Sequence, residues 1–266
     1  MIDLSCHILD GMGCGPESYA ESLEMCRTAI KGGVRTVVAT PLWRAGSVEP
    51  PLSFDEMSSR IERMSTELRG ALSIRTGFVF EFSTAIPELA ERYGTRVTLG
   101  GKRHLMISLP STSVPANTNE VWVALARMGY AVLVAHPECS AALRRKPALL
   151  SEWAVQGVKF QFGAASVLGT YGREVRRFTV ECLRKFDGKT VVASNAHTAQ
   201  TNLMGKARAE LVSELGERQA LKHLREVPKE IIDDVEVSLE RKPTLTGGLN
   251  ALFRVLRPLP ANQKEV

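Results

Sequence analysis

A parallel α/β architecture is what this sequence predicts, and three observations carry it. Strand-like and helix-like patterns alternate seven times with short connections, Tyr130 to His136 is almost continuously apolar, and polar residues and glycines collect just after strand ends. Short connectors between alternating element types favour parallel pairing, and an uninterrupted apolar strand is one covered on both faces. Polar groups at the C-terminal end of such strands stand where barrel enzymes keep their chemistry. From these patterns alone a doubly wound sheet competes with a barrel.

The elements follow in order. Met1 to His7 reads as a strand whose Ile2, Leu4 and Cys6 share one face while Asp3, Ser5 and His7 share the other, running into the Gly-rich turn Gly11 to Pro16. Ser18 with Glu21 forms a capping box for a helix closed by Gly32-Gly33, and Val34 to Thr40 is a second strand. A linker from Leu42 to Leu52 carries Gly46, Pro50 and Pro51, after which Ser53 and Glu56 cap a helix to about Gly70. Leu72 to Phe82 reads as one strand, with Phe78, Phe80 and Phe82 on a core face and Val79 and Glu81 opposite. A short helix over 86–93 precedes the strand His104 to Leu109, in which Ser108 faces away from Ile107 and Leu109; helix 117–128 then leads to the apolar strand 130–136. Helix 147–155, strand 158–162, helix 173–186 and strand 190–197 complete the alternation, and 207–223 and 231–239 read as further helices.

At 266 residues the chain suits one domain. The expected division is a barrel over 1–242 and a C-terminal extension over 243–266, partly mobile because Pro243, Gly247, Gly248, Pro258 and Pro260 interrupt it. Composition is that of a soluble globular protein, 44 % hydrophobic and 24 % charged. No apolar run approaches the roughly 20 residues that span a bilayer, and the first strand starts at once without an export signal, so membrane insertion is not expected and the cytoplasm is. Five cysteines without paired spacing suit reduced thiols. The net charge of +5 is spread along the chain apart from Arg144-Arg145-Lys146, which argues against nucleic-acid binding and leaves an acidic or phosphorylated partner open.

Four phrases, MIDLSCHILDGMGCGP at 1–16, ESLEMCRTAIKGGVRTVVATP at 21–41, AHPE at 135–138 and ASNAHT at 193–198, resemble the PHP-type (polymerase and histidinol phosphatase) protein-tyrosine phosphatases of bacterial capsule and exopolysaccharide operons. The resemblance implies a PHP-type distorted TIM-like (β/α)7 barrel whose strand ends gather histidines and carboxylates around two or three divalent metals. Such metals deprotonate a water and hold the phosphoryl oxygens while carboxylates balance their charge. Carried over by position, the first histidine of the pattern falls on Ser5 and the second is His7. The acidic residue of the first loop falls on Gly13 or Cys14, the His-His pair on Leu42-Trp43, two glutamates on Val79 and Ser108, and an aspartate on Asn195. The phosphate-binding arginine after His-Pro-Glu falls on Cys139. His7, His136 and His197 remain, with Glu81 two residues beyond Val79, and Asp3, Ser5, Cys14, Ser108, Cys139 and Asn195 as further lining.

Neutral residues in place of bridging carboxylates leave two or three cations uncompensated in a low-dielectric mouth. What remains can hold at most one divalent ion, Zn, Mn or Fe, on three histidines, and a metal-free site in which they are hydrogen-bonded to Ser5, Asn195 or backbone is the competing reading. His104 and His223 lie outside the set and are expected at the surface or as caps. Cys139 to Arg145 has the Cys-x5-Arg spacing of thiol phosphatases, but its loop lacks the glycines that let backbone N–H groups converge on a phosphate. Three functions follow: an active metal-dependent phosphotyrosine-protein phosphatase, a non-catalytic relative that binds a tyrosine kinase or its phosphotyrosine tail, or a mononuclear hydrolase with another substrate. The joint loss of ligand positions favours the second.

Overall fold

The structure is a computed structural model describing residues 1–233. In chain order its elements are β1 (Ile2–Cys6), α1 (Tyr19–Lys31), β2 (Thr36–Ala39), β3 (Leu42–Trp43), α2 (Phe54–Glu67), β4 (Ser73–Thr76), β5 (Val79–Glu81), α3 (Ile86–Tyr93), β6 (His104–Ser108) and α4 (Thr118–Arg127). They continue with β7 (Ala131–Ala135), α5 (Ala141–Arg145), α6 (Ala148–Val155), β8 (Lys159–Gly163), α7 (Ala164–Val167), α8 (Arg173–Lys185), β9 (Thr190–Ala193), α9 (Met204–Leu215), α10 (Glu217–Leu221) and α11 (Val227–Asp233).

All named strand pairs are parallel, in the orders β1-β2-β4 and β3-β5-β6-β7-β8-β9. β2 runs on into β3 and β4 into β5, so these four short strands make two bent staves and the nine strands make seven. The ring closes between the first and last staves: Cys6 bridges Ala196, the His7 N–H donates to the Ala196 carbonyl at 2.9 Å, and the Asn195 N–H donates to the Ser5 carbonyl at 2.9 Å. The fold is the distorted (β/α)7 barrel that the resemblance implied, and the doubly wound alternative is excluded by this closure.

Inside the ring, Leu4, Val38, Met106, Leu133 and Val191 form one apolar cluster, and Val227, Ile231 and Ile232 of α11 pack into the same cluster. The outer faces of the strands pack on the helices in a second cluster that includes Phe78, Phe80, Phe160 and Phe162. Ser18 and Ser53 cap α1 and α2 by accepting from the Glu21 and Glu56 N–H groups at 3.3 and 3.2 Å. The Glu21 carboxylate completes no box, because it accepts instead from the Glu17 N–H at 2.9 Å.

Several expectations are corrected. The strand over 72–82 is two strands broken at Gly77, where a Cβ would stand 2.7 Å from Val38 Cγ1 and 2.9 Å from Leu99 Cδ2; the backbone bends inward there, and only glycine leaves room. The linker over 42–52 opens with a strand, β3, paired with β5. The helix over 207–223 is interrupted at Gly216, whose φ of 85° ends α9. His104 and His223 are buried, at 2 % and 1 % exposure, and His223 Nδ1 meets Thr190 Oγ1 at 3.0 Å; both sit under the barrel wall and not at its surface. The boundary at 242, the extension over 243–266 and most of the helix over 231–239 lie outside the described residues.

Candidate functional site

The strand ends frame a cavity of about 240 Å³ at the C-terminal mouth of the barrel. His7, Ser5 and Cys14 reach it from the first stave and its loop, Leu42 from β3, Val79 and Glu81 from β5, Ser108 from β6, His136 after β7, and Asn195 and His197 after β9. The alternation read in β5 therefore holds in space, with Val79 and Glu81 facing the mouth and Phe80 facing outward. Leu42 and Trp43 separate in the same way: Leu42 lines the cavity and Trp43 is buried behind it at 1 % exposure.

Asp3 and Cys139 are corrections. A register shift between Asp3 and Cys6 breaks the alternation of β1, so Asp3 does not follow Ser5 and His7 into the cavity. Its carboxylate is fully buried and accepts from the Ser194 N–H at 2.9 Å and the Ser5 N–H at 3.3 Å, stitching the seam between the first and last staves. Burial pushes its pKa up to about 6 against the pull of those hydrogen bonds. Cys139 lies in the turn before α5, away from the cavity. Although the residue reaches solvent, burial of its thiol and then the Glu138 charge push its pKa up to about 12, the opposite of what a thiolate nucleophile needs. The arginine that ends the Cys-x5-Arg stretch, Arg145, is exposed, and its neighbour Arg144 is occupied by the Glu138 carbonyl at 2.7 Å and Glu174 at 3.1 Å.

The histidines are brought together, but not as a metal trio. The rings of His7 and His197 stack with centroids 4.2 Å apart and planes 11° from parallel. Imidazole lone pairs lie in the ring plane, and two stacked, nearly parallel planes share no point where one ion could meet both. His197 Nδ1 lies 2.6 Å from the Cys14 carbonyl, which fixes that nitrogen as the donor, and Cys14 Sγ lies 3.6 Å from His7 Nδ1. Burial first, then the charges of His197 and His136, bring the His7 pKa down to about 3, and burial also lowers that of His136. Both are neutral at physiological pH. His136 and Asn195 hold left-handed backbone at φ 35° and 49°, strain of the kind stored at functional mouths.

Metal fit follows from the donor set. The carboxylate lining the mouth is Glu81, which accepts from the Ala45 N–H at 3.1 Å and faces Arg44 at 3.7 Å. Ser5, Leu42, Val79, Ser108 and Asn195 are neutral, so a pair of dications would lack counter-charge. Among the described residues no group of three or more His, Cys, Asp or Glu is arranged to hold one ion. The residues present do not fit the metal cluster that the resemblance implies.

The profile of the family described as capsular polysaccharide synthesis, CpsB/CapC, matches residues 1–233. The chain belongs to that family. This CpsB/CapC member is 29 % identical over 205 residues to the tyrosine-protein phosphatase YwqE of Bacillus subtilis, covering 76 % of this chain and 79 % of that one. It is 29 % identical over 209 residues to the putative tyrosine-protein phosphatase CapC of Staphylococcus aureus, covering 74 % and 77 %. In structure it is similar, at TM-score 0.77 and 25 % identity over 88 % of this chain and 94 % of the other, to a chain from the crystal structures of YwqE from Bacillus subtilis and CpsB from Streptococcus pneumoniae, described as metal-dependent tyrosine phosphatases. A lactonase from Listeria monocytogenes, at 11 % identity and TM-score 0.55 over 87 % and 94 %, shares the fold alone.

Glu138 is the polar residue that spacing did not mark. It is fully buried beside the mouth of this CpsB/CapC barrel, and its Oε1 accepts from the Gly163 N–H at 2.7 Å and Ser166 Oγ at 2.8 Å. Burial, opposed by those bonds, pushes its pKa up to about 7. A raised folded-state pKa means that the protonated acid belongs to the fold, so its stabilisation is full below the ordinary carboxylate pKa and is lost as pH rises through about 7. Glu138→Gln keeps the acceptor and removes the titration. Its stability relative to wild type should therefore climb between pH 5 and pH 8, by up to about 3 kcal/mol, in urea unfolding at both pH values; a pH-independent difference would refute the buried acid's role.

Proposed function

We propose that this family member serves capsular polysaccharide synthesis as a phosphatase-like binding protein, catalytically weak or inactive, that takes the tyrosine-bearing tail of a bacterial tyrosine kinase at the barrel mouth in the cytoplasm. The observation that carries the reading is the carboxylate-poor mouth: Ser5, Leu42, Val79, Ser108 and Asn195 meet in one cavity with neutral His7 and His136, and the lining carboxylate, Glu81, is engaged by the Ala45 N–H and Arg44. A cavity of about 240 Å³ is below the size of a drug-like site and suits a single side chain. Leu42 and Val79 give the apolar wall that an aromatic ring requires, and Ser108 and Asn195 offer polar contacts for its oxygen. Exposed Arg145 adds charge for an acidic tail.

The purified protein should show no Mn²⁺-stimulated hydrolysis of p-nitrophenyl phosphate and should bind a tyrosine-rich peptide in fluorescence anisotropy, with binding lost in Val79→Arg. Robust metal-dependent turnover abolished by His136→Ala, or no peptide binding, would overturn it. The names of the relatives support a second reading, a reduced metal hydrolase built on His7, His136 and His197. About one equivalent of zinc or iron by elemental mass spectrometry, lost in His7→Ala/His136→Ala, would favour that reading.

A further inference from the structure

The opposite end of the barrel holds a second cavity, of about 570 Å³, with a different character. Five cationic side chains line it: Arg35 ahead of β2, Arg75 on β4, Arg208 on α9, Arg225 between α10 and α11, and Lys229 on α11. Arg225 and Lys229 share one continuous helical run and the other three come from separate segments, so no single helix or loop explains their gathering. All five are exposed and meet the solvent-filled space.

Their charges are largely uncompensated. Arg208 is paired with Glu217 at 2.8 Å and Lys229 with Asp233 at 2.7 Å. Among the described residues, Arg35, Arg75 and Arg225 have no carboxylate in ion-pair contact; Arg35 Nη1 donates to the carbonyls of Val34 and Ile30 at 3.3 and 3.4 Å, which leaves its charge in place. Asp233 is the lining carboxylate; its bond to Lys229 is the main cause that holds its pKa low, and the charge of Arg75 adds to it. A net positive field reaches the neighbouring Met1 ammonium: after burial, the charges of Arg225, Arg35 and Arg208 lower its pKa.

Among the described residues, three guanidiniums without an ion-pair partner share this concavity with one carboxylate, Asp233, an excess of positive charge that suits an anion of more than one charge, because each guanidinium can supply paired N–H donors to phosphoryl oxygens. Ile2, Leu221 and Ile232 supply an apolar surface beside them. A volume of about 570 Å³ is that of a small-molecule site. We infer that the base of the barrel is a binding site for a small molecule carrying a diphosphate group, with Arg35, Arg75 and Arg225 holding the diphosphate and the apolar surface meeting its organic part. The site is separate from the mouth and does not depend on the tail-binding reading.

Inorganic pyrophosphate is the probe, titrated calorimetrically into the full chain at 150 mM salt, with orthophosphate as comparator. Pyrophosphate should bind one per chain and about tenfold or more tighter than orthophosphate, since charge-assisted bonds to a second phosphate add to the first. Arg75→Gln/Arg225→Gln should weaken it by about tenfold or more, while Arg173→Gln/Arg177→Gln on α8, an equal change in net charge, should leave it within about twofold. Circular dichroism and melting of both variants check that they fold. No pyrophosphate binding, an equal loss in the α8 variant, or association only with vesicles of phosphatidylglycerol would each overturn the inference; the last would make the cavity a membrane-facing patch.

Discussion

The variant Ser5→His/Leu42→His/Val79→Glu/Ser108→Glu/Asn195→Asp should bind at least one equivalent of Mn²⁺ that the parent protein does not. All five positions line one cavity, so the substitutions place two histidines and three carboxylates around His7, His136 and His197 without moving the backbone. Asn195 already has the left-handed φ of 49° that aspartate tolerates. Without metal the three carboxylates repel one another in a poorly solvated mouth, so the variant should be less stable than the parent in chelator. Mn²⁺ removes that repulsion and binds only the folded state, adding about 2.7 kcal/mol at a hundredfold excess over Kd. The expected record is a melting temperature that rises with Mn²⁺ in the variant and stays flat in the parent, with metal content by mass spectrometry as the check. A folded variant that takes up no metal would show that supplying carboxylates and histidines is not enough to load the mouth, and would point to another obstacle such as the His7–His197 stack.

That experiment is conceivable because much of the mouth was legible before any coordinates. Strand period 2 placed Val79 and Glu81 together, and the ends of β6, β7 and β9 placed Ser108, His136 and Asn195 on the same rim. Serine caps and glycine stops located the early helices. What stayed hidden were departures from period. A run such as Leu72 to Phe82 is apolar enough to read as one strand, and only the approach of Val38 and Leu99 to Gly77 explains why it bends. The shift inside β1 turned Asp3 from an expected lining residue into a seam clamp, because register depends on the partner strand and leaves no mark in the strand's own sequence. His104 and His223 were expected at the surface or as caps because they fall outside the strand-end set, yet tertiary packing buries both. The basic cavity was invisible for a simpler reason: Arg35, Arg75, Arg208, Arg225 and Lys229 are scattered along the chain and only closure of the barrel brings them together.

Trp43→Ala should cost about 3–5 kcal/mol of unfolding free energy, while leaving the mouth itself unfilled and unobstructed. The resemblance puts a metal-binding histidine at this position, but in space the ring points away from the cavity. It packs on Phe80 at 5.1 Å, Phe78 at 5.4 Å and Tyr93 at 5.5 Å between ring centroids. Its Nε1–H donates to the Ser47 carbonyl at 2.9 Å, so truncation also leaves that carbonyl without its partner. The cluster joins β3, β5 and α3, which is why a cavity there cannot close by moving one element alone. Leu42→Ala on the adjacent residue removes a half-buried side chain from the wall of the mouth, and the open space beside it can take up solvent, so the cost should be less than half as large. Urea unfolding of the two variants side by side measures the contrast. Equal losses would mean that the β3 pair is not divided between core and mouth; a loss confined to Trp43→Ala means that only Leu42 faces the site, and that a metal ligand restored at 43 would coordinate nothing.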